Sequence, residues 1–371
     1  MDNLEKQKFI TNMHKLYMEL RPYSEGFNLS QMKEKEEILW KEYLKSFYKL
    51  VPNKFYKYRR VNEENINCLL NEQAWFSKPA DFGDIVDSSI NTDINAELDD
   101  FDKNKGEYIK KISIAIINCM LMPYGQKVDE KTVDDALPLF NSNGEVSEAE
   151  AKKFLENKMP EYASEKYSKQ LANSTKVDNQ EPILDAVKGF LMTYLDFNNR
   201  IRNNTFVYSL AEDNDNLAMW ETYADGAKGF CIEYEFPVDV FLAQRILLNL
   251  LPIYYGEKEH IKFFDVLVNG LSTKQNINGI SFNDYSKWFL SSYTKDPSYQ
   301  FQKEWRITFT EEMGGNKQSF PFAKAIILGE KISIVDKAKL IEVARKKNLR
   351  VFQRKLNISG SKVITEELMI Q

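Results

Sequence analysis

The chain has 371 residues, 43% hydrophobic, 28% charged and 13% aromatic, with a formal net charge of −5. That balance describes a soluble globular protein of one large or two ordinary domains, and the acidic charge argues against a nucleic-acid binder, which needs a basic face. With two His and three Cys in all, neither a His-ligated zinc site, nor a Ser-His-Asp triad, nor a disulfide framework is expected.

The opening MDNLEKQKFITN lacks the apolar run of a signal peptide. The run ISIAIINCMLMP (112–123) is too short to span a bilayer and reads as a buried helix. Widely spaced Cys68, Cys119 and Cys231 fit a reducing, cytoplasmic setting.

Helical spacing of apolar residues predicts two amphipathic helices, over 3–21 and 30–50, broken at Pro22. They form an N-terminal helical segment, 1–50, and the expected contact for a homo-oligomer. After Pro52, FYKYR reads as a strand, NEENINCLLNEQ as a helix capped by Asn62, and AWFSKP as a second strand. The loop ADFGDIVDSS carries Asp81, Asp84 and Asp87. Residues of about 100–200 read as a helical insertion, with a capping box at Ser147 and Glu150 and a polar loop from Ala172. NNTFVYSLAE returns to strand character, and DNLAMWETYA is a short helix starting near Asn214 or Asp215. GFCIEYEF alternates as a half-buried strand. Residues 238–252 and 259–294 read as helices around a strand at LPIYYG. QKEWRITFT and KAIILG are strands, IVDKAKLIEVARKKN a helix and LRVFQRK the final strand. The fold class is α+β: a mixed, split β-sheet core over 51–371 with N-terminal helices and a large helical insertion.

Alternation in FQKEWRI places Gln302, Glu304 and Arg306 on one strand face. An amide and a carboxylate so placed suit a ribose and a developing oxocarbenium cation; a solvated face with a Glu304–Arg306 pair is the plainer alternative. Arg59 ends the first strand, where an Arg holds a phosphate bidentately or simply faces solvent. Ser77 shapes a pocket or satisfies a turn. Trp220 and Tyr223 share a helix face, as core or as a stacking platform. Asp84 and Asp87 suit a divalent ion or turn caps.

Taken in order, Tyr56–Arg59 (YKYR), FSKPADFGDIVD, MWETYADGAKGFCIEY, QKEWR and IILGEKIS resemble the motif series of a widespread bacterial family catalogued as domain of unknown function 2971. The chain departs from that series where Thr222 stands at a His position, Gln302 at a Glu position, and Gly83-Asp84-Ile85-Val86-Asp87 at Asn-Asp-Pro-Phe-Asp. A more distant resemblance is one of order alone. Arg59, Ser77, then Gln302 with Glu304 is similar to the order in ADP-ribosyltransferases of the Arg-Ser-Glu type. That resemblance implies a split sheet clamping NAD, with Arg59 on the phosphates, Ser77 on the nicotinamide ribose and Glu304 at the oxocarbenium centre.

The expected function is therefore an NAD-using transferase or hydrolase, as a toxin or phage-defence effector. Glu304 and Gln302 are its catalytic residues, and Tyr58, Arg59, Ser77, Trp220, Tyr223 and Arg306 hold the ligand. NAD is the substrate, a protein or nucleic acid the acceptor, and no metal or membrane is expected. One alternative is a non-catalytic sensor of a nucleotide-type molecule. A further one is a nuclease with Asp84, Asp87 and Glu304 around a metal.

Overall fold

The computed structural model describes residues 1–20, 49–84, 86–91, 93–110, 136–158, 164–179, 202–237, 249–262, 290–310, 315–357 and 363–369, with single positions 160, 181, 185, 189, 199, 240, 243, 246, 247 and 359. The expected helices over 30–50 and at 112–123 lie outside them. Two compact units form, one from 1–88, 201–258 and 293–371, the other from 89–200 and 259–292.

The first unit contains, in chain order, α1 (Asn3–Leu20), β1 (Phe55–Arg59), α2 (Glu63–Leu70), β2 (Gln73–Trp75), β3 (Thr205–Ala211), α3 (Leu217–Tyr223), β4 (Phe230–Tyr234), β5 (Leu250–Pro252), β6 (Tyr254–Tyr255), β7 (Thr294–Lys295), β8 (Glu304–Thr310), β9 (Lys317–Ser319), β10 (Ala323–Leu328), α4 (Ile334–Lys347), β11 (Arg350–Leu356) and β12 (Val363–Leu368). Eight strands make one sheet, ordered β12-β11-β10-β4-β1-β3-β8-β5, while β2–β9 and β6–β7 are two-stranded ribbons. Within the large sheet β10 and β11 run parallel, joined through α4, because a parallel pair needs a long crossover. The other pairs in that sheet are antiparallel. The α+β class with a mixed sheet is borne out.

The core is aromatic. Trp305 packs edge-on against Phe55 at 5.5 Å and against Phe9 of α1 at 6.2 Å. Phe9, Ile10 and Met13 are buried, so this stretch of α1 spends its apolar stripe on its own chain. Strand β4 is buried at every position. It lies between β10 and β1, so the half-buried strand read from its alternation is corrected to a central one covered on both faces.

The sheet parts between β1 and β3. These strands share one paired position, Tyr56 opposite Ala211. Further along, the inward backbone of β3 is satisfied by other groups. The Ser209 carbonyl accepts from Lys57 Nζ at 2.5 Å, and Val207 exchanges both backbone hydrogen bonds with Ser77. Buried backbone polar groups demand partners; here side-chain and loop groups meet that demand, and the strands open.

Other boundaries differ locally. Asn216 caps α3 by accepting from the Met219 N–H at 3.2 Å, in place of Asn214 or Asp215. Strand β5 begins at Leu250, inside the range 238–252 read as helix and overlapping the start of the expected strand LPIYYG. LRVFQRK is followed by β12, whose charged VITEEL sequence hides its alternation. Segment 297–302 is a 3-10 helix, and Lys303 is left-handed, so β8 starts at Glu304 and Gln302 precedes it.

The second unit holds the helices Ile94–Lys103, Glu148–Lys158 and Glu165–Thr175. Ala136, Phe140, Val146, Ala151, Phe154 and Leu155 form a core cluster there. The capping box is present, Ser147 and Glu150 bonding each other's backbone N–H at 3.2 Å. The helix beginning at Glu165 runs to Thr175, through the start of the expected loop. The Ser174 and Thr175 hydroxyls bond back to helix carbonyls, which lets polar residues extend it. Among the described residues no helix is long and apolar enough to cross a membrane.

Gly229 joins α3 to β4 by backbone contact alone. A Cβ there would lie 2.2 Å from the Arg59 carbonyl oxygen and 2.8 Å from that of Ala224. Gly229→Ala is expected to cost about 3 kcal/mol, the upper part of the usual range for overpacking, measured as a lowered urea midpoint.

Candidate functional site

A cleft of about 720 Å³ opens in the first unit where β1 and β3 part. Alternation and register place Phe55, Lys57 and Arg59 on one face of the sheet, Tyr56 and Tyr58 on the other. Glu304 and Arg306, opposite Ala211 and Ser209, belong with the second set. Because the sheet is split, residues of both faces line one cleft.

Its floor is a four-charge cluster. Arg306 grips Asp87 with two nitrogens, at 2.6 and 2.8 Å. Its Nε donates to Glu304 at 2.6 Å and its Nη1 to Ser88 Oγ at 2.7 Å. Lys295 donates to the other Glu304 oxygen at 3.0 Å and to the Gln302 amide oxygen at 2.9 Å, and lies 3.3 Å from Asp87. The Gln302 amide nitrogen donates to Tyr223 Oη at 2.7 Å. The Glu304 backbone N–H donates to Tyr255 Oη at 2.7 Å. Glu304 is 4% exposed and Arg306 2%, so the solvated-face alternative is overturned. The reason is that Asp87, 219 residues away in sequence, folds over the pair. Ser88 takes a left-handed φ of 55°, costing about 1 kcal/mol against the hydrogen bond its Oγ accepts from Arg306.

These contacts fix the charges. Burial opposes ionisation of Glu304, but Arg306 and Lys295 more than offset it and hold the carboxyl at about 2. Asp87 is held still lower by Arg306 and Lys295 against the same opposition. Burial would discharge Lys295, yet Glu304 and Asp87 keep it above its usual range. The cluster is two anions and two cations, neutral as a whole.

The cleft's other cations have no such partners. Lys57 and Arg59 of β1 and Arg60 just beyond it line the cleft, and among the described residues none forms an ion pair with a carboxylate; burial, then Arg59, pushes Lys57 toward the neutral amine. Arg59 lies 5.7 Å over the Tyr208 ring and Arg60 is exposed. Trp75, Phe82, Tyr223 and Tyr299 bring aromatic surface to the same cleft; Tyr223 is 43% exposed.

The sequence-derived residues divide accordingly. Arg59, Ser77, Tyr223, Gln302, Glu304 and Arg306 all line the cleft. Tyr58 lines it too, but its hydroxyl is committed to the Asp213 carbonyl at 2.9 Å. Trp220 is corrected to a core residue. It is buried with Tyr58 and Cys231, donates to the Asn214 carbonyl, and carries the Arg354 guanidinium 4.5 Å over its ring. Arg306 acts as an internal counter-ion, with four of its five N–H groups given to Asp87, Glu304 and Ser88. Sequence reasoning missed Lys295, Ser88 and Lys57. Lys57 stood inside the YKYR segment; Lys295, seven residues before Gln302, was read as following a helix.

Asp87 and Glu304 meet as the nuclease alternative requires, but both are engaged by Arg306 and Lys295, so a metal would have to displace those cations. Among the described residues no group of three His, Cys, Asp or Glu is gathered for a metal.

Both depressed carboxyl groups stabilise the fold above their unfolded values, about 4, and that stabilisation is lost as pH falls through the folded values. Urea midpoints should therefore drop steeply between about pH 4.5 and 2. Arg306→Met leaves two buried carboxylates to share the single cation Lys295 and should cost about 3 kcal/mol at pH 7, read from the same titrations.

No curated protein and no solved structure matches the chain. A family model does. It covers α3, β4 and the strands up to the start of β8, including Tyr223, Lys295, Gln302, Glu304 and Arg306; YKYR, FSKPADFGDIVD and IILG lie outside it. Over residues 219–307 the chain is similar to the family described as "Protein of unknown function (DUF2971)", the family its ordered motifs resemble.

Proposed function

We propose that the cleft binds a nucleotide-type ligand, with NAD the leading one. The observation that supports this is the set of charges left over once the buried cluster is neutral. Arg59 and Arg60 lie beside exposed aromatic surface and, among the described residues, neither forms an ion pair, although Asp81 and Asp84 line the same cleft. Guanidinium groups in that state suit phosphate oxygens bidentately, and the rings suit a base or a nicotinamide. The acidic net charge does not oppose this, because Arg59 and Arg60 are neighbours on one edge of the cleft.

In the catalytic form of this reading, Glu304 provides the negative charge at the glycosidic carbon as nicotinamide leaves. It is ionised at neutral pH, as that role requires. Tyr223 and Gln302 set the ribose position through their shared hydrogen bond. Water accepts the ADP-ribose in a hydrolase; a protein or nucleic acid accepts it in a transferase. One observation favours a second reading, a non-catalytic nucleotide sensor. Glu304 is already paired with two cations, which weakens its pull on a third.

Nicotinamide release from NAD by the purified protein separates the two. Turnover that disappears in Glu304→Gln, with the variant's melting curve confirming a folded chain, supports catalysis. Arg59→Ala should then raise KM at least tenfold while changing kcat little, the loss of about one charge-assisted contact. Binding without release supports the sensor, and neither binding nor release contradicts both.

A further inference from the structure

Lys57 differs from the other amine on this cleft. Lys295 touches two carboxylates; Lys57 touches none among the described residues. It lines the cleft on the strand that ends in Arg59. Its Nζ donates to the Ser209 carbonyl at 2.5 Å and sits 4.6 Å from the centre of the Tyr208 ring. The charged and titratable groups facing it are Arg59 on its own strand, Glu304 and Arg306 from β8, and Cys231 from β4. Of these Glu304, and after it Cys231, favour an ammonium, and Glu304 is already held by Arg306 and Lys295. Burial first, then Arg59, pushes Lys57 well below the usual lysine range. A carbonyl oxygen is a partner to which a neutral amine also donates, so the lone pair stays available. A cleft-facing amine of this kind is a nucleophile toward carbonyl carbon.

We propose that Lys57 is a nucleophilic amine that forms an imine with a phosphate-bearing aldehyde, whose phosphate is held by Arg59 and Arg60. The amine half stands on Lys57's own surroundings, and the phosphate half rests on the reading of the cleft given above. The nitrogen lone pair attacks the carbonyl carbon, a C–N bond forms, and the carbonyl oxygen leaves as water with the two protons the amine carried. Nothing is oxidised or reduced. The ring-opened form of a ribose phosphate belongs to this substrate class, so the amine would meet the aldehyde released by glycosidic cleavage in the same cleft.

The test uses the full chain and pyridoxal 5′-phosphate as probe, at reagent equal to protein, followed by borohydride reduction and peptide mass spectrometry. The expected adduct is on Lys57, at least tenfold above the mean of the other lysines at pH 7.5. Labelling should persist at a pH where surface lysines no longer react. Inorganic pyrophosphate should slow it, and phosphate-free pyridoxal should label Lys57 at least tenfold more slowly. Lys57→Met should remove the adduct; should that variant fail to fold, the pyrophosphate and pyridoxal comparisons on the wild type decide alone. Adducts spread over surface lysines with Lys57 unmodified overturn the proposal, and so does equal labelling of Lys57 by pyridoxal. Failure of the nucleotide reading shows separately: pyrophosphate would still protect Lys57, and ADP-ribose would not.

Discussion

Two carboxylates and two cations are buried together beneath the cleft, and the rest of the site depends on that neutral cluster. Each charge would be expensive to bury alone. Together, Arg306, Lys295, Asp87 and Glu304 satisfy one another through hydrogen bonds of 2.6–3.0 Å. The arrangement joins the 81–88 loop, β7 and β8. It also fixes what remains: with these four charges cancelled, the cleft keeps Arg59 at the end of β1 and Arg60 just after it, with Asp81 and Asp84 on the facing loop.

The second constraint is the parting of β1 from β3. A continuous sheet would bury this surface under backbone hydrogen bonds. Here Lys57 and Ser77 satisfy the β3 groups that a neighbouring strand would otherwise take, and the gap becomes the cleft. Close backbone packing fixes the far side of β1. Gly229 lies against the Arg59 carbonyl and Gly329 against that of Ala227, so the two glycine-containing motifs hold the end of the strand that presents Arg59.

Much of this was legible in sequence where local chemistry decides it. Strand alternation found β1, β3, β8, β10 and β11, and the Asn62 and Ser147 caps are where their residue types predict. Gln302, Glu304 and Arg306 do point to one place, although a left-handed Lys303 stands between helix and strand. What escaped was long-range. Nothing near QKEWR says that Asp87 will fold onto Arg306, so a buried ion cluster read equally well as a solvated face. Trp220 stayed open between core and stacking platform because its partner, Arg354, is 134 positions further on in the chain. Strand β12 was missed because an edge strand tolerates Glu366 and Glu367, which erase the pattern that reveals inner strands.

The central claim is that Arg59 and Arg60, without an ion-pair partner among the described residues, make this cleft a phosphate-binding nucleotide site. Calorimetric titration of ADP-ribose into the wild-type chain and into Arg59→Ala, at low and at high salt, tests it most directly. The account predicts one site per chain, affinity that weakens as salt rises, and at least a tenfold loss in the variant. Salt-independent binding that Arg59→Ala leaves intact, or no binding at all by the folded protein, would contradict it.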